Sequence, residues 1–342
     1  MESANDAPIG VLLFNLGGPG NLAEIQPFLV ELFSDREIIQ LPFGAALQPL
    51  FARLIARARG PAVRRNYEAI GGGSPQLRIT GAQASALEAR LNQMPLSAGR
   101  VRVYVAMRYL RPSIDDALSE MAAAGVRRIV TLTLFPHWSR ATTGSWHKAF
   151  QTALGNPRWA QRRFAVSHID RYPDDPGYLD ALTGRVREAL AAFPPASRDR
   201  AVILFSAHGL PKKMVDAGDP YVQDIERTRQ GLVERLRAPN PVLLGYQSRS
   251  GPVRWIGPDT AALVRELGAK GVKDLLVVPI SFVSDHIETL YEIDILFAGI
   301  AREAGIEHYR RADTLNLDPG FVDALARLVA RHLEEDAAGG AS

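Results

Sequence analysis

The sequence predicts an α/β protein made of two similar domains, each a parallel sheet flanked by helices. Three observations predict it. Short apolar, β-branched runs alternate with amphipathic stretches along the chain, which is the pattern of βα units. At 342 residues the chain is long for one core and comfortable for two. The halves also echo each other. Pro112-Ser113-Ile114-Asp115-Asp116-Ala117-Leu118 leads to Gly125-Val126-Arg127 and an apolar run, and Pro258-Asp259-Thr260-Ala261-Ala262-Leu263 leads to Gly271-Val272-Lys273 and another. Pro258 follows Pro112, and Gly271 follows Gly125, by the same 146 residues, which favours a duplicated domain over chance.

In chain order, apolar runs of strand length predict strands over 10–16, 102–107, 128–135 and 163–168. The second half repeats this over 201–205, 242–246, 275–281 and 307–310. Apolar residues at helical spacing predict helices over 81–91, 114–123, 178–192, 221–236, 260–267, 287–304 and 321–333. The turn-rich string Tyr172-Pro173-Asp174-Asp175-Pro176-Gly177 marks the boundary. The expected domains are therefore 8–172 and 173–311, followed by a C-terminal helix over 312–336 and a disordered tail over 337–342.

Composition excludes several functions. There is no cysteine, so disulfides, thiolate nucleophiles and cysteine-held iron–sulfur clusters are out. The 40 cations and 37 anions are mixed along the chain and give a net charge of only +3, so no nucleic-acid partner is expected. Residues 1–8 lack the basic and apolar regions of a secretory leader, and no apolar run is long enough to span a bilayer. A cytoplasmic location is expected.

The chemistry concentrates at strand ends, where open α/β sheets bind ligands. Phe205-Ser206-Ala207-His208-Gly209-Leu210-Pro211 follows one apolar run, and Ser284-Asp285-His286-Ile287-Glu288-Thr289-Leu290-Tyr291-Glu292 follows another. An imidazole facing carboxylates there could hold a divalent metal and accept protons. Ser284 and Asp285 suit a helix start in their own right. Glu288 and Glu292, four apart, share a helix face and repel unless something cationic lies between them. Apolar neighbours Ile287, Leu290, Ile293 and Ile295 argue for a largely buried helix, and buried carboxylates need partners. Leu16-Gly17-Gly18-Pro19-Gly20 lacks dinucleotide spacing and reads as a tight turn. Ile70-Gly71-Gly72-Gly73-Ser74-Pro75 reads as a mobile connection. His147, His168, His308 and His332 have no suggestive neighbours and read as structural or surface groups. Arg108-Tyr109, Phe135-Pro136-His137-Trp138-Ser139, Trp255 and Phe282 could wall a flat apolar ligand bearing carboxylates.

Taken together, these strings resemble ferrochelatase, which inserts ferrous iron into a porphyrin at the end of haem synthesis. The resemblance runs from about Gly10 to Arg311. Its most specific pieces are Phe205–Pro211, Gly218-Asp219-Pro220-Tyr221, Tyr246-Gln247-Ser248-Arg249 with Gly251-Pro252, and Phe282–Asp294. It implies two Rossmann-like domains with the porphyrin in a cleft between them. It places His208 and Glu288 at the family's metal and proton-handling positions, with Asp285, His286 and Glu292 as a possible metal relay. Leu16, Tyr67, Ser74, Arg108 and Tyr109 fall on positions that line the macrocycle or contact its propionates, and Trp138, Trp255 and Phe282 are expected to bind porphyrin as wall residues. Iron is then a substrate, and no further cofactor is expected. The chain departs from the family pattern at Arg111, at His137-Trp138 and at Leu296, where relatives often carry His, Gln-Tyr and a third carboxylate.

Three readings remain at this point. One is iron insertion into protoporphyrin IX, favoured by Leu16, because relatives specialised for coproporphyrin often have Tyr there. Another is a chelatase for coproporphyrin III or cobalt. The third is a non-catalytic tetrapyrrole carrier, which would need neither His208 nor the Glu288–Glu292 pair. The apolar, arginine-flanked stretch over 41–59 is expected to allow peripheral membrane contact, in the manner of the family's lip over the cleft.

Overall fold

The computed structural model describes residues 7–39, 44–96 and 99–339. The chain divides into two units, Met1–Tyr172 with Pro319–Ser342, and Pro173–Asp318. The first unit contains β1 (Ile9–Asn15), α1 (Ile25–Ser34), α2 (Gly44–Ala69), α3 (Gln76–Leu91), β2 (Val101–Met107), α4 (Ile114–Ala123), β3 (Arg128–Thr133), α5 (Ser145–Leu154), α6 (Pro157–Ala160) and β4 (Ala165–Ile169). Its sheet is wholly parallel, in the order β2-β1-β3-β4. Every residue of β1 is buried, as a strand covered on both faces requires. Behind it Phe14 stacks on Trp146 with ring centroids 3.8 Å apart, and Trp146 stacks on Phe150 at 4.7 Å.

The second unit contains α7 (Pro176–Ala191), α8 (Pro195–Arg198), β5 (Val202–His208), α9 (Lys212–Asp216), α10 (Tyr221–Leu236), β6 (Val242–Gln247), α11 (Thr260–Ala269) and β7 (Asp274–Val278). A π-helix (Glu288–Phe297), α12 (Ala298–Glu303) and β8 (His308–Arg311) complete it. Its parallel sheet repeats the first unit's topology as β6-β5-β7-β8. The last helix, α13 (Pro319–Gly339), belongs to the first unit, where the Arg90–Asp323 ion pair at 2.7 Å ties it to α3.

The duplication extends to local chemistry. Helix α4 starts from a Ser113 cap and α11 from an Asp259 cap, each accepting a backbone N–H three residues on. The strands that follow, β3 and β7, begin at Arg128 and Asp274.

Several boundaries differ from expectation, each for a physical reason. The strand expected over 201–205 runs on to His208, because His208 still pairs with Gln247 of β6. The one expected over 275–281 stops at Val278, ahead of Pro279, which has no N–H to give a ladder. β4 starts at Ala165, since Arg163 is left-handed at φ 46°. Helices α1 and α2 were not expected. α1 buries Ile25, Leu29 and Phe33 at helical spacing, and α2 contains Pro49 and Pro61, which argue against a helix interior. The helix expected over 287–304 is π-wound to Phe297 and α-wound after it. α13 starts later than 312 and continues past 336 to Gly339. The rest of the expected tail, 340–342, lies outside the described residues.

The glycine-rich loops of the first unit serve backbone-to-backbone packing. A Cβ on Gly73 would lie 2.1 Å from the Gly20 carbonyl oxygen, and Ser74 N donates to Pro19 O at 2.7 Å. The missing side chain of Gly73 therefore lets one loop dock onto the other.

Candidate active site

In the order β6-β5-β7-β8 the chain reverses direction of growth between β5 and β7, and the carboxyl ends of those strands leave a crevice. His208 is the last residue of β5. The chain leaving β7 stays beside it: Ile280 N donates to Ser206 O at 3.1 Å, and His208 N donates to Ser281 Oγ at 3.0 Å. Gly209 is needed here, because a Cβ would lie 2.7 Å from Gln247 O.

Glu288 opens the π-helix and places Oε2 2.9 Å from His208 Nδ1. A carboxylate only accepts, so Nδ1 carries the hydrogen and Nε2 is left as the basic nitrogen. His286 Nδ1 donates to the Ser284 carbonyl at 3.0 Å, which leaves its Nε2 lone pair 3.5 Å from the same Glu288 oxygen. Two acceptors facing each other at that distance make a seat for a proton or a metal cation. Phe282 closes one side, edge-on to His286 with centroids 4.6 Å apart and to His208 at 6.3 Å.

Glu292 lies one π-turn further on. Winding with i→i+5 bonds brings residues four apart closer to alignment than an α-helix does, where they sit about 40° out of line. Its carboxylate accepts from Ser248 N at 2.8 Å, Ser248 Oγ at 2.5 Å and Gln247 Nε2 at 3.0 Å. Gln247 is itself fixed, donating to Glu288 O at 3.0 Å and accepting from Ser206 Oγ at 2.6 Å, with Thr260 behind Ser206 at 3.0 Å. Gln247, Ser248 and Ser281 were not among the sequence-predicted site residues. Gln247 and Ser248 do lie in the Tyr246–Arg249 string that carries the resemblance, as a polar run closing an apolar strand.

The two carboxyl groups are driven apart electrostatically. Burial disfavours charge on Glu288, but the adjacent His208 and then His286 hold it well below the ordinary carboxylate range. Burial, and then the Glu288 charge, raise Glu292, despite its bonds to Ser248 and Gln247. Burial also opposes a charged His208, yet the carboxylate of Glu288, helped by that of Glu292, raises its pKa above the usual 6.5. Titratable neighbours with environments pushing them in opposite directions mark acid–base assignments.

Asp285 stands outside this group. Its oxygens are engaged by Arg311 at 3.1 Å, Thr289 at 3.1 Å and Asn316 at 2.8 Å. Arg311 also donates to Asp294 at 2.8 Å, so Asp285 fastens the loop and the π-helix. Trp255 lies against Gly209, and its indole donates to Ser250 O at 3.1 Å. Leu296 is 43% exposed.

In the first unit, Arg108 follows β2 and is held by Asp35 Oδ2 at 2.7 Å and Ser145 Oγ at 2.8 Å. Tyr109 donates to the same Asp35 oxygen at 2.8 Å, is 1% exposed, and lies under the Arg108 guanidinium. Tyr109 thus has almost no accessible surface and packs beneath Arg108, sharing Asp35 with it. Asp35, which sequence reasoning missed, organises this cluster. Ser74 and Tyr67 are buried against Gly18, while Leu16 and Trp138 are half-buried.

The ferrochelatase family model matches residues 8–333. The chain belongs to the ferrochelatase family. It is 46% identical over 326 residues to the ferrochelatase of Geotalea uraniireducens, covering 95% of this chain and 98% of that one. It is 48% identical to that of Synechococcus sp. strain JA-3-3Ab, covering 95% and 93%. Ferrochelatases are lyases that insert iron into a porphyrin, so iron here is a substrate. Among solved structures, SirB from Bacillus subtilis with Fe3+ matches at 12% identity and a TM-score of 0.54, covering 97% of this chain and 98% of that one. At that identity the likeness speaks for the fold. It agrees with the two parallel-sheet, Rossmann-like units expected from the sequence.

Proposed function

We propose that this ferrochelatase inserts Fe²⁺ into protoporphyrin IX, with His208 and Glu288 as its catalytic pair. The reaction exchanges two pyrrole N–H protons for one Fe²⁺, so the site must both take protons and offer the metal donors that release it again. His208 Nε2 takes one pyrrole proton, the ionised Glu288 on Nδ1 stabilises the imidazolium that forms, and passing that proton to water frees Nε2 to take the second. Glu288 Oε2 with His286 Nε2 supplies hard oxygen and imidazole donors for incoming iron, with no thiolate to trap it. Glu292, with its raised pKa, passes protons or metal along the π-helix toward Glu288. Arg108, held by Asp35, serves a propionate, and the half-buried Leu16 and Trp138 of the first unit and Trp255 and Phe282 of the second offer surface to the macrocycle, with the buried Ser74 and Tyr67 supporting the loop at Gly18. Binding energy from these contacts bends the ring so that its nitrogen lone pairs become accessible.

The observation that carries this reading is the 2.9 Å His208–Glu288 pair at the strand crevice, beside a second carboxyl group held at a different pKa. A tetrapyrrole carrier would have no use for it. Anaerobic incubation with Fe²⁺ and protoporphyrin IX tests the proposal. The metalloporphyrin spectrum should grow with wild-type protein and stay at the uncatalysed rate with His208→Ala. Tight porphyrin binding with no metallation would establish a carrier instead.

A further inference from the structure

The first unit holds a cluster of metal-ligating side chains that the proposed chemistry does not use. His147 on α5 and His168 on β4 meet edge to face, with ring centroids 4.5 Å apart. Asp170, just past β4, places Oδ1 2.6 Å from His147 Nε2. One ligand atom from each of the three lies within 4.8 Å of the others. Sequence alone gave these histidines no suggestive neighbours, because residues 147 and 168 converge only through the α5–β4 packing.

We propose that His147, His168 and Asp170 form a second divalent transition-metal site, distinct from the His208–Glu288 centre. Two further features support it. His168 Nδ1 is bonded to Thr131 Oγ1 at 2.7 Å, and Thr131 is fully buried in β3. With the Nδ1 hydrogen on that hydroxyl, the ring is held in place and Nε2 keeps its lone pair, as outer partners do for metal-bound imidazoles. His168 and Asp170 also line a cavity of about 220 Å³, across which His332 and Glu335 of α13 add further donors. That opening gives an ion access and room for exchangeable water. Behind the cluster the Phe14–Trp146–Phe150 stack holds the start of α5, and a metal taking both His147 Nε2 and Asp170 Oδ1 would replace their 2.6 Å hydrogen bond, releasing the Nε2 proton to water.

The donor set selects the metal. Two imidazoles and one carboxylate, with no sulfur, suit Zn²⁺, Fe²⁺ or Co²⁺, and three protein ligands leave positions open. Arg171 and Arg331 line the same cavity, so a weakly held hard cation such as Mg²⁺ is disfavoured against one that bonds imidazole strongly.

The test uses full-length, metal-stripped protein carrying His208→Ala and Glu288→Gln, so that the proposed catalytic centre does not contribute. Zn²⁺ is titrated by calorimetry, and Co²⁺ by its visible absorption. One saturable equivalent is expected, with imidazole-ligated cobalt bands. Adding His168→Gln should weaken Zn²⁺ binding at least tenfold. So should Asp170→Asn, which keeps an acceptor for His147 and guards against a folding artefact. Absence of saturable Zn²⁺ binding in the parent variant, or binding that neither substitution changes, overturns the proposal and leaves the cluster a hydrogen-bonded packing element. Iron insertion is not the readout, so this result stands apart from the reading of the active site.

Discussion

His208 Nδ1, at the carboxyl end of β5, lies 2.9 Å from Glu288 Oε2, 80 residues later in the chain. The parallel β5–β7 pairing sets this contact, since it brings the loop after β7 beside the end of β5. One partner thereby becomes a base with a raised pKa and the other a carboxylate that stays ionised.

The pH dependence follows from the signs of these shifts. A base acts when neutral, so turnover should rise with pH through an apparent value above 6.5. Glu288→Gln removes the charge that raises His208 and leaves burial, which lowers it. The acidic limb of whatever activity remains should therefore move to lower pH, and a limb that stays in place would count against the coupling. Stability gives an independent check. The raised His208 stabilises below its unfolded value of 6.5 and loses this as pH rises through its folded pKa. The depressed Glu288 stabilises above 4.5 and loses this as pH falls. The Tm difference between wild type and His208→Ala should then be widest between pH 4.5 and 6.5.

Glu292→Gln tests the helix line. It removes a carboxyl held by Ser248 and Gln247 without emptying the site. A few-fold loss of turnover, or a raised apparent KM for iron, is expected from steady-state kinetics. Unchanged iron kinetics would make Glu292 a brace for the 247–248 segment.

Substrate choice turns on Leu16. It offers apolar contact and no phenol, so kcat/KM should favour protoporphyrin IX over coproporphyrin III by roughly tenfold, the scale of a pocket that differs in a few contacts. Equal or better kcat/KM with coproporphyrin III would reverse the assignment.

The expected membrane contact over 41–59 falls partly on residues 41–43, outside the described residues. On α2, Leu47, Leu50 and Leu54 are 47%, 54% and 51% exposed, at spacings that share one face. Arg53 and Arg57 are exposed beside them. Among the described residues no helix is long and apolar enough to cross a membrane. Loose, salt-sensitive binding to anionic liposomes is expected in flotation assays, reduced by changing the three leucines to Ser. Protein that stays at the bottom of a low-salt gradient would exclude this contact.

Much of this was legible in the sequence because it is local. Apolar runs place β1, β5 and β7, and caps at Ser113 and Asp259 start equivalent helices. His208, Glu288, His286 and Glu292 could be named from two strings at strand ends. What escaped depends on tertiary context. The prolines of α2 hid a helix that packs on α1, and the π-winding of 288–297 leaves no mark on hydrophobic period. Asp35 organises Arg108 and Tyr109 from more than 70 residues away, so no local pattern could announce it. The resemblance placed Asp285 with the relay residues, and its partners Arg311, at the end of β8, and Asn316, just beyond it, meet it only through the tertiary fold.

The central claim is that His208 and Glu288 work as one device, and a double-mutant cycle on single-turnover iron insertion tests it most directly. His208→Ala and Glu288→Gln should each slow insertion by about 10²–10⁴-fold while leaving porphyrin binding largely intact. Groups acting as a unit are lost together, so the double variant should be no slower than the worse single one. Losses that multiply, or a single variant within a few-fold of wild type, would contradict the pair as the site of proton transfer and metal insertion.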